Sequence, residues 1–219
     1  MGRVHLTFDN GPHPEGTPAV LEVLARRGLS ATFFVLGREL ATPVGLDLAR
    51  RTRDEGHRLG NHSFSHETPL GVDPRPDAVD RELVRTQALL DSVWDGPLWF
   101  RPFGGGGKLG PHLLSPATVD WLVARKATCV LWSSVPGDWL DADGWPARAL
   151  QDADEQEHDV LVLHDILPDA MGHLDAFLGE LIDRGHTFTD ALPDACVPIR
   201  DGSVSPGIDR FVSTPEASP

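Results

Sequence analysis

The chain has 219 residues and a formal net charge of −14, with a pI near 5.0. That length accommodates one large α/β domain with a substantial core, and the negative balance argues against phosphate backbones and anionic membranes as partners. No run approaches the roughly 20 apolar residues of a membrane span. Met1-Gly2-Arg3 leads straight into an apolar run with no signal-peptide pattern, so the expected location is cytoplasmic. Cys129 and Cys196 make no metal or redox motif and are expected as unpaired thiols.

Short β-like runs alternate with helical patterns. Residues 4–8 read as the first strand, closed by Gly11-Pro12. Thr17-Pro18 offers a capping hydroxyl and a proline at the first helical position, predicting a helix with Val20, Leu21 and Leu24 on one face that ends near Gly28. Residues 31–36 are continuously apolar, the pattern of a strand buried on both faces. A helix at about 44–54 and a strand at 58–61 follow, the strand delivering His62 and His66. Residues 77–92 read as one helix with Val79, Leu83 and Leu90 inward. Strands at 98–100 and 128–132 flank a helix at 116–125, and a helix near 146–156 precedes the most plainly buried strand, 160–163. Leu174, Phe177, Leu178, Leu181 and Ile182 then recur at amphipathic-helix spacing, Gly185 closes that helix, and 186–189 give the last strand. Residues 191–219, rich in Pro, Ser, Gly and Asp without a period, are expected as an irregular tail, surface-hugging or disordered.

Seven strands separated by helices imply a parallel sheet, either doubly wound or closed into a barrel. Asp9, His62, Arg101, Asp138 and His164 all fall at or just after the carboxyl end of a strand. Barrels gather such residues from many strands onto one rim, so the barrel is favoured. His62 and His66, four apart, are expected on one side of a helical turn, close enough to grip one ion. Alone, such a pair reads as readily as a solvated turn.

Five motifs change that balance: Thr7-Phe8-Asp9-Asn10-Gly11-Pro12, His62-Ser63-Phe64-Ser65-His66, Arg101-Pro102-Phe103-Gly104-Gly105, Asp138-Trp139 and Leu163-His164-Asp165. In this order they resemble the polysaccharide deacetylases with a NodB-homology domain, carbohydrate esterase family four. The resemblance covers residues 3–190, implying a 1–190 deacetylase domain with an α/β fold, an incomplete, distorted seven-stranded (β/α) barrel. It also implies hydrolysis of an N-acetyl group from an amino sugar. By the same resemblance His62 and His66 are ligands of a divalent ion, with zinc expected, and Asn10 stands at the third ligand position. Asp9 is then the base, Arg101 holds it ionised, His164 is the general acid and Asp138 orients that histidine. The Gly104 backbone N–H faces the oxyanion, and Trp139 belongs to the substrate wall.

The chain departs from the family pattern at three places. Asn10 replaces a ligating aspartate, so a neutral amide weakens the hold on the ion. Gly104 replaces an aromatic residue, and Val135 stands near a missing first aspartate of the fourth motif. The run Gly104 to Gly107 is no phosphate loop, since no Lys-Ser/Thr follows it. The expected partner is a small molecule or short oligosaccharide, because anionic cell-wall polymers would be repelled; neither nucleic acid nor membrane is expected. Two other readings stay open: hydrolysis of a non-sugar amide or cyclic imide, and a carbohydrate-binding relic whose metal site has decayed at Asn10.

Overall fold

Strand β1 (Arg3–Asp9) is the centre of the sheet, and alternation along it separates two environments. In the computed structural model, which describes residues 1–214, every residue of β1 after Arg3 is buried. Val4, Leu6 and Phe8 join the apolar layer beneath the helices, and the side-chain period of two turns His5, Thr7 and Asp9 to the other face. The next strands are β2 (Thr32–Val35), β3 (Arg58–Asn61), β4 (Trp99–Phe100), β5 (Thr128–Cys129), β6 (His158–His164) and β7 (Thr187–Phe188). They pair in parallel in the order β6-β1-β2-β3-β4-β5. β7 pairs with β1 only at Arg3 and Val4, on the edge that β2 uses at Thr7 to Asp9.

The expected distorted barrel is present, and its distortion has a location. β5 and β6 do not pair along their length. Past the carboxyl end of β5 the gap closes directly on the middle of β6: Ser133 and Ser134 donate backbone hydrogen bonds to Val160 O at 3.2 and 3.3 Å, and Val162 donates to Ser134 O at 3.0 Å. Deeper in the barrel the free edge of β5 takes β8 (Ile199–Arg200) antiparallel, and Leu131 N–H reaches Cys196 O at 2.8 Å. A short β9 (Ser203–Val204) folds back on β8.

Over the described residues 191–214 this overturns the expectation of an irregular, surface-hugging or disordered tail over 191–219. Leu192, Cys196 and Val197 pack with Phe34, Val130 and Val160, while Ile199 and Phe211 join the cluster around β4 and β5. The composition of the segment hid this, because its few apolar residues are spaced by turns rather than by a helical or strand period. Residues 215–219 lie outside the described residues.

The helices are α1 (Gly16–Arg27), α2 (Gly37–Leu40), α3 (Pro43–Asp54), α4 (Arg85–Leu90), α5 (Pro116–Ala124), α6 (Trp145–Glu155), α7 (Pro168–Met171) and α8 (Leu174–Asp183). Thr17 does not cap α1; Glu15 occupies that position without a side-chain bond. Its hydroxyl instead accepts the His13 N–H at 2.7 Å and donates to the Asp165 carboxylate. Capping hydroxyls do start α3, where Thr42 accepts from Gly45 N–H, and α5, where Ser115 accepts from Thr118 N–H. The helix expected over 77–92 contains a π-helical turn, Asp80–Val84, leading into α4. On α8 the buried stripe is Leu174, Phe177, Leu178 and Leu181, whereas Ile182 is 45% exposed. Among the described residues no helix is long and apolar enough to cross a membrane.

If 191–214 completes the core, Ile199→Ala, at a fully buried position, lowers the unfolding free energy by about 2–5 kcal/mol in denaturant titration. A surface tail would show a change within about 0.5 kcal/mol.

Candidate active site

The rim of the barrel is built outward from Arg101, which follows β4 and has no solvent exposure. A buried guanidinium must have acceptors. Nη1 donates to Asp9 Oδ1 at 2.9 Å and to Thr7 Oγ1 at 2.6 Å. Nε and Nη2 reach the Val130 and Leu131 carbonyls, both at 3.3 Å. The guanidinium also lies 4.2 Å from the Phe34 ring centre. One side chain thereby ties β4, β1 and the segment after β5 together. Burial alone would raise the Asp9 carboxyl, but the Arg101 charge, with His62 and His164 near, holds it below the ordinary carboxylate range.

Asp9 Oδ2 is left to face His62 Nε2 at 3.5 Å. His62 Nδ1 lies 2.8 Å from the Arg101 carbonyl, which fixes the tautomer with Nδ1–H donating and Nε2 free. Burial, offset in part by Asp9, lowers the His62 pKa, so the ring is neutral and its contact with Asp9 is no ion pair. His66 is pushed down to about 3, first by burial and then by its neighbour His62. The two rings lie 5.0 Å apart, and His66 packs on Phe103 with centroids 3.9 Å apart. The segment is not the expected helical turn. It is a loop in which Ser63 (φ 67°) and His66 (φ 56°) adopt the left-handed region, and the rings meet for that reason rather than by helical spacing.

Asn10 is also left-handed, at φ 76°, and its N–H bonds to Phe34 O at 3.1 Å. Its Oδ1 is buried without a hydrogen-bond partner among the described residues, and Asn10 lines the same cleft as His62 and His66. A buried amide oxygen is rarely left unpaired. Among the described residues no three His, Cys, Asp or Glu side chains form a metal-holding group; with Asn10 counted, two imidazoles and one orphaned oxygen face one space. That donor set fits a divalent ion of borderline softness.

Across the cleft, strand register makes His164 the direct partner of Asp9 on the adjoining strand. Asp138 Oδ1 accepts from His164 Nδ1–H at 2.8 Å, and its Oδ2 accepts the His164 backbone N–H at 2.8 Å. The ring's Nε2 is thereby left for the cleft. Burial pulls the His164 pKa down, but Asp138 and Asp9 outweigh it, and the net shift is upward. Trp139, 39% exposed, meets the His164 ring edge-on at 5.1 Å. The cleft holds about 730 Å³ of empty space, open to solvent. Gly104 lines it with its carbonyl held by His112 Nε2 at 3.1 Å. A Cβ at Gly104 would lie 2.5 Å from the Trp132 ring, so that indole fills the space an aromatic at 104 would need.

Asp9, Asn10, His62, His66, Arg101, Gly104, Asp138, Trp139 and His164 therefore converge on one rim. Sequence reasoning passed over Thr7, Trp132 and Glu82, which hold this constellation. Thr7 was the only one with a visible signal, a hydroxyl two residues before Asp9 and hence on its face of the strand.

An ionised carboxylate and a carboxylate-charged imidazole beside two neutral imidazoles, on the rim of a distorted barrel, define a hydrolase-type site. The polysaccharide deacetylase family profile matches residues 2–108. The chain is 32% identical over 168 residues to a chitooligosaccharide deacetylase from Rhizobium leguminosarum bv. phaseoli, covering 75% of this chain and 69% of that protein. The chain belongs to the polysaccharide deacetylase family. It is also 29% identical over 188 residues to the peptidoglycan-N-acetylglucosamine deacetylase PgdA of Listeria monocytogenes serotype 1/2a (strain 10403S), covering 85% of this chain but only 37% of the Listeria protein. A family 4 acetyl xylan esterase from Clostridium thermocellum, solved in complex with a cobalt ion, superposes with a TM-score of 0.67 at 26% identity, over 85% of this chain and 86% of that one.

The Asn10 geometry generates a measurable expectation. Replacing its neutral oxygen by a carboxylate adds a unit of attraction for a divalent ion, so Asn10→Asp binds zinc at least about tenfold, or 1.4 kcal/mol, more tightly. Titration showing no gain would mean that Asn10 does not face the ion.

Proposed function

We propose that this chain is a metal-dependent deacetylase that removes an N-acetyl group from an amino sugar, in a small glycoconjugate or short oligosaccharide. The observation that carries the reading is the pair Asp9 and His164. They are direct neighbours in strand register, yet one is held below the usual carboxylate pKa and the other above the usual imidazole pKa. Environments that push two titratable groups apart assign a base and an acid.

His62, His66 and Asn10 would hold the ion, which when bound acidifies water and polarises the acyl oxygen. Asp9, fixed by Arg101 through Oδ1, turns Oδ2 toward the cleft and takes the proton of the attacking water. His164 delivers a proton from Nε2 to the departing amine, with Asp138 stabilising the imidazolium. Trp139 and Trp132 present apolar surface against which a sugar ring packs. The relatives named for chitooligosaccharides and for peptidoglycan glucosamine support an N-acetylated sugar substrate, as does the scarcity of charge on the cleft walls beyond these groups.

Acetate release from N-acetylglucosamine oligomers tests this. Asp9→Asn and His164→Ala each lower turnover by about 10² to 10⁴ fold, the range for loss of general acid–base catalysis, with the bound metal retained. Wild-type rates in either variant would remove the mechanism.

The pH profile carries a signed expectation. The acid works while His164 is protonated, so activity falls as pH rises through its elevated pKa. Asp138→Asn removes the group that raises it and leaves burial to lower it. The alkaline limb of kcat/KM therefore moves to lower pH; a limb that stays in place would assign the acid elsewhere.

A further inference from the structure

Glu82 is a buried carboxylate, 3% exposed, that the proposed chemistry does not use. It lies inside the π-helical turn Asp80–Val84, a departure from α-helix that often accompanies functional sites. Its Oε2 accepts the backbone N–H of Phe64 at 2.9 Å and of Ser65 at 2.8 Å. Its Oε1 accepts the Ser65 hydroxyl at 2.8 Å and Arg75 Nη2 at 3.2 Å. Three of these four bonds grip the loop between His62 and His66. The same helical segment holds that loop a second time through Asn61, whose Oδ1 accepts Ser63 N–H at 3.0 Å. The Asn61 amide in turn donates to Leu83 O at 3.1 Å and to Gln87 Oε1 at 3.2 Å. From the opposite side, the N–H groups of Gly37 and Arg38 take the Ser63 and Phe64 carbonyls at 2.9 and 3.1 Å.

The loop needs such a hold. Ser63 and His66 both sit in the left-handed region, which non-glycine residues keep only where their surroundings over-determine it. Among the described residues His66 has no hydrogen bond to fix its ring as the Arg101 carbonyl fixes His62; its orientation follows from its backbone and from Phe103.

We propose that Glu82 is a positioning residue for the metal centre: by clamping Phe64 and Ser65 it sets the backbone of His66 and hence the spacing of the two imidazoles. The inference rests on the metal reading of the site. It matters more here than where a carboxylate ligand is present, because a neutral ligand set has less charge attraction to make up for poor geometry.

The experiment uses the full chain and two readouts: zinc affinity by competition with a chromogenic chelator, and amide hydrogen exchange of the metal-free protein. Glu82→Gln keeps the volume but offers one acceptor oxygen where two are used. It lowers zinc affinity by about tenfold or more, the range for loss of an outer-shell partner, and speeds exchange at Phe64 and Ser65 while β1 amides stay protected. Arg75→Ala, which leaves the three loop bonds in place, keeps affinity within about twofold of wild type. Ser65→Ala removes one loop bond without disturbing the buried helix and gives an intermediate loss, which keeps the claim testable should Glu82→Gln fold poorly. A purely structural role would lower the melting temperature and leave the zinc affinity of the folded variant unchanged; that result, or unchanged affinity in Ser65→Ala, overturns the proposal. If wild type binds no zinc, the metal reading fails on its own, and unchanged exchange at Phe64 and Ser65 in Glu82→Gln still overturns the clamp.

Discussion

Burying the Arg101 guanidinium is the constraint to which the rest of the rim conforms. A guanidinium shut away from solvent needs acceptors for its donors, and four hydrogen bonds run to oxygens on β1 and on the segment after β5. The side chain thereby closes the interior of a barrel whose β5–β6 seam is incomplete. Its charge is matched by Asp9, and removing either partner of such a pair leaves the other uncompensated, at about 3–5 kcal/mol. Structure and chemistry therefore depend on the same contact: the ion pair that completes the core also keeps Asp9 ionised and leaves one of its oxygens facing the cleft.

Strand ends were the most legible part of the sequence. β2 and β6 announce themselves by apolar runs and β1 by alternation, and the polar residues that end β1, β3 and β6, Asp9, Asn61–His62 and His164, mark the rim. Pairing in register then places Asp9 beside His164, a relation that no linear spacing shows. What the sequence concealed was held by contacts between distant segments. The ordered stretch Ala191 to Val212 has turn-rich composition, and its apolar residues make sense only once the free edge of β5 is known. The His62–His66 loop reads as a helical turn by spacing alone; the left-handed residues that shape it depend on Glu82, a residue that looks like an ordinary surface position of a helix.

Asn10 is where sequence and structure inform each other most. A neutral residue at a ligand position suggests decay, yet its Oδ1 is buried without a partner among the described residues, and Asn10 lines the cleft with two neutral imidazoles. Asp9 with Arg101, and His164 with Asp138, are paired around the same cleft. Such a site gives up attraction for the ion and leaves any bound water more acidic, and geometric hold by the surrounding loops becomes correspondingly important. The glycine at 104 follows the same pattern of substitution: the space an aromatic would fill is taken by Trp132 from the segment after β5, its indole N–H fixed on the Gly107 carbonyl at 2.8 Å.

The central claim is that these three side chains form one metal centre. X-ray absorption spectroscopy of protein loaded with one equivalent of zinc addresses it directly. The account predicts a first shell of nitrogen and oxygen at about 2.0–2.2 Å with the scattering signature of two imidazoles and no sulfur. A shell without imidazole, or failure to retain zinc at all, would contradict it.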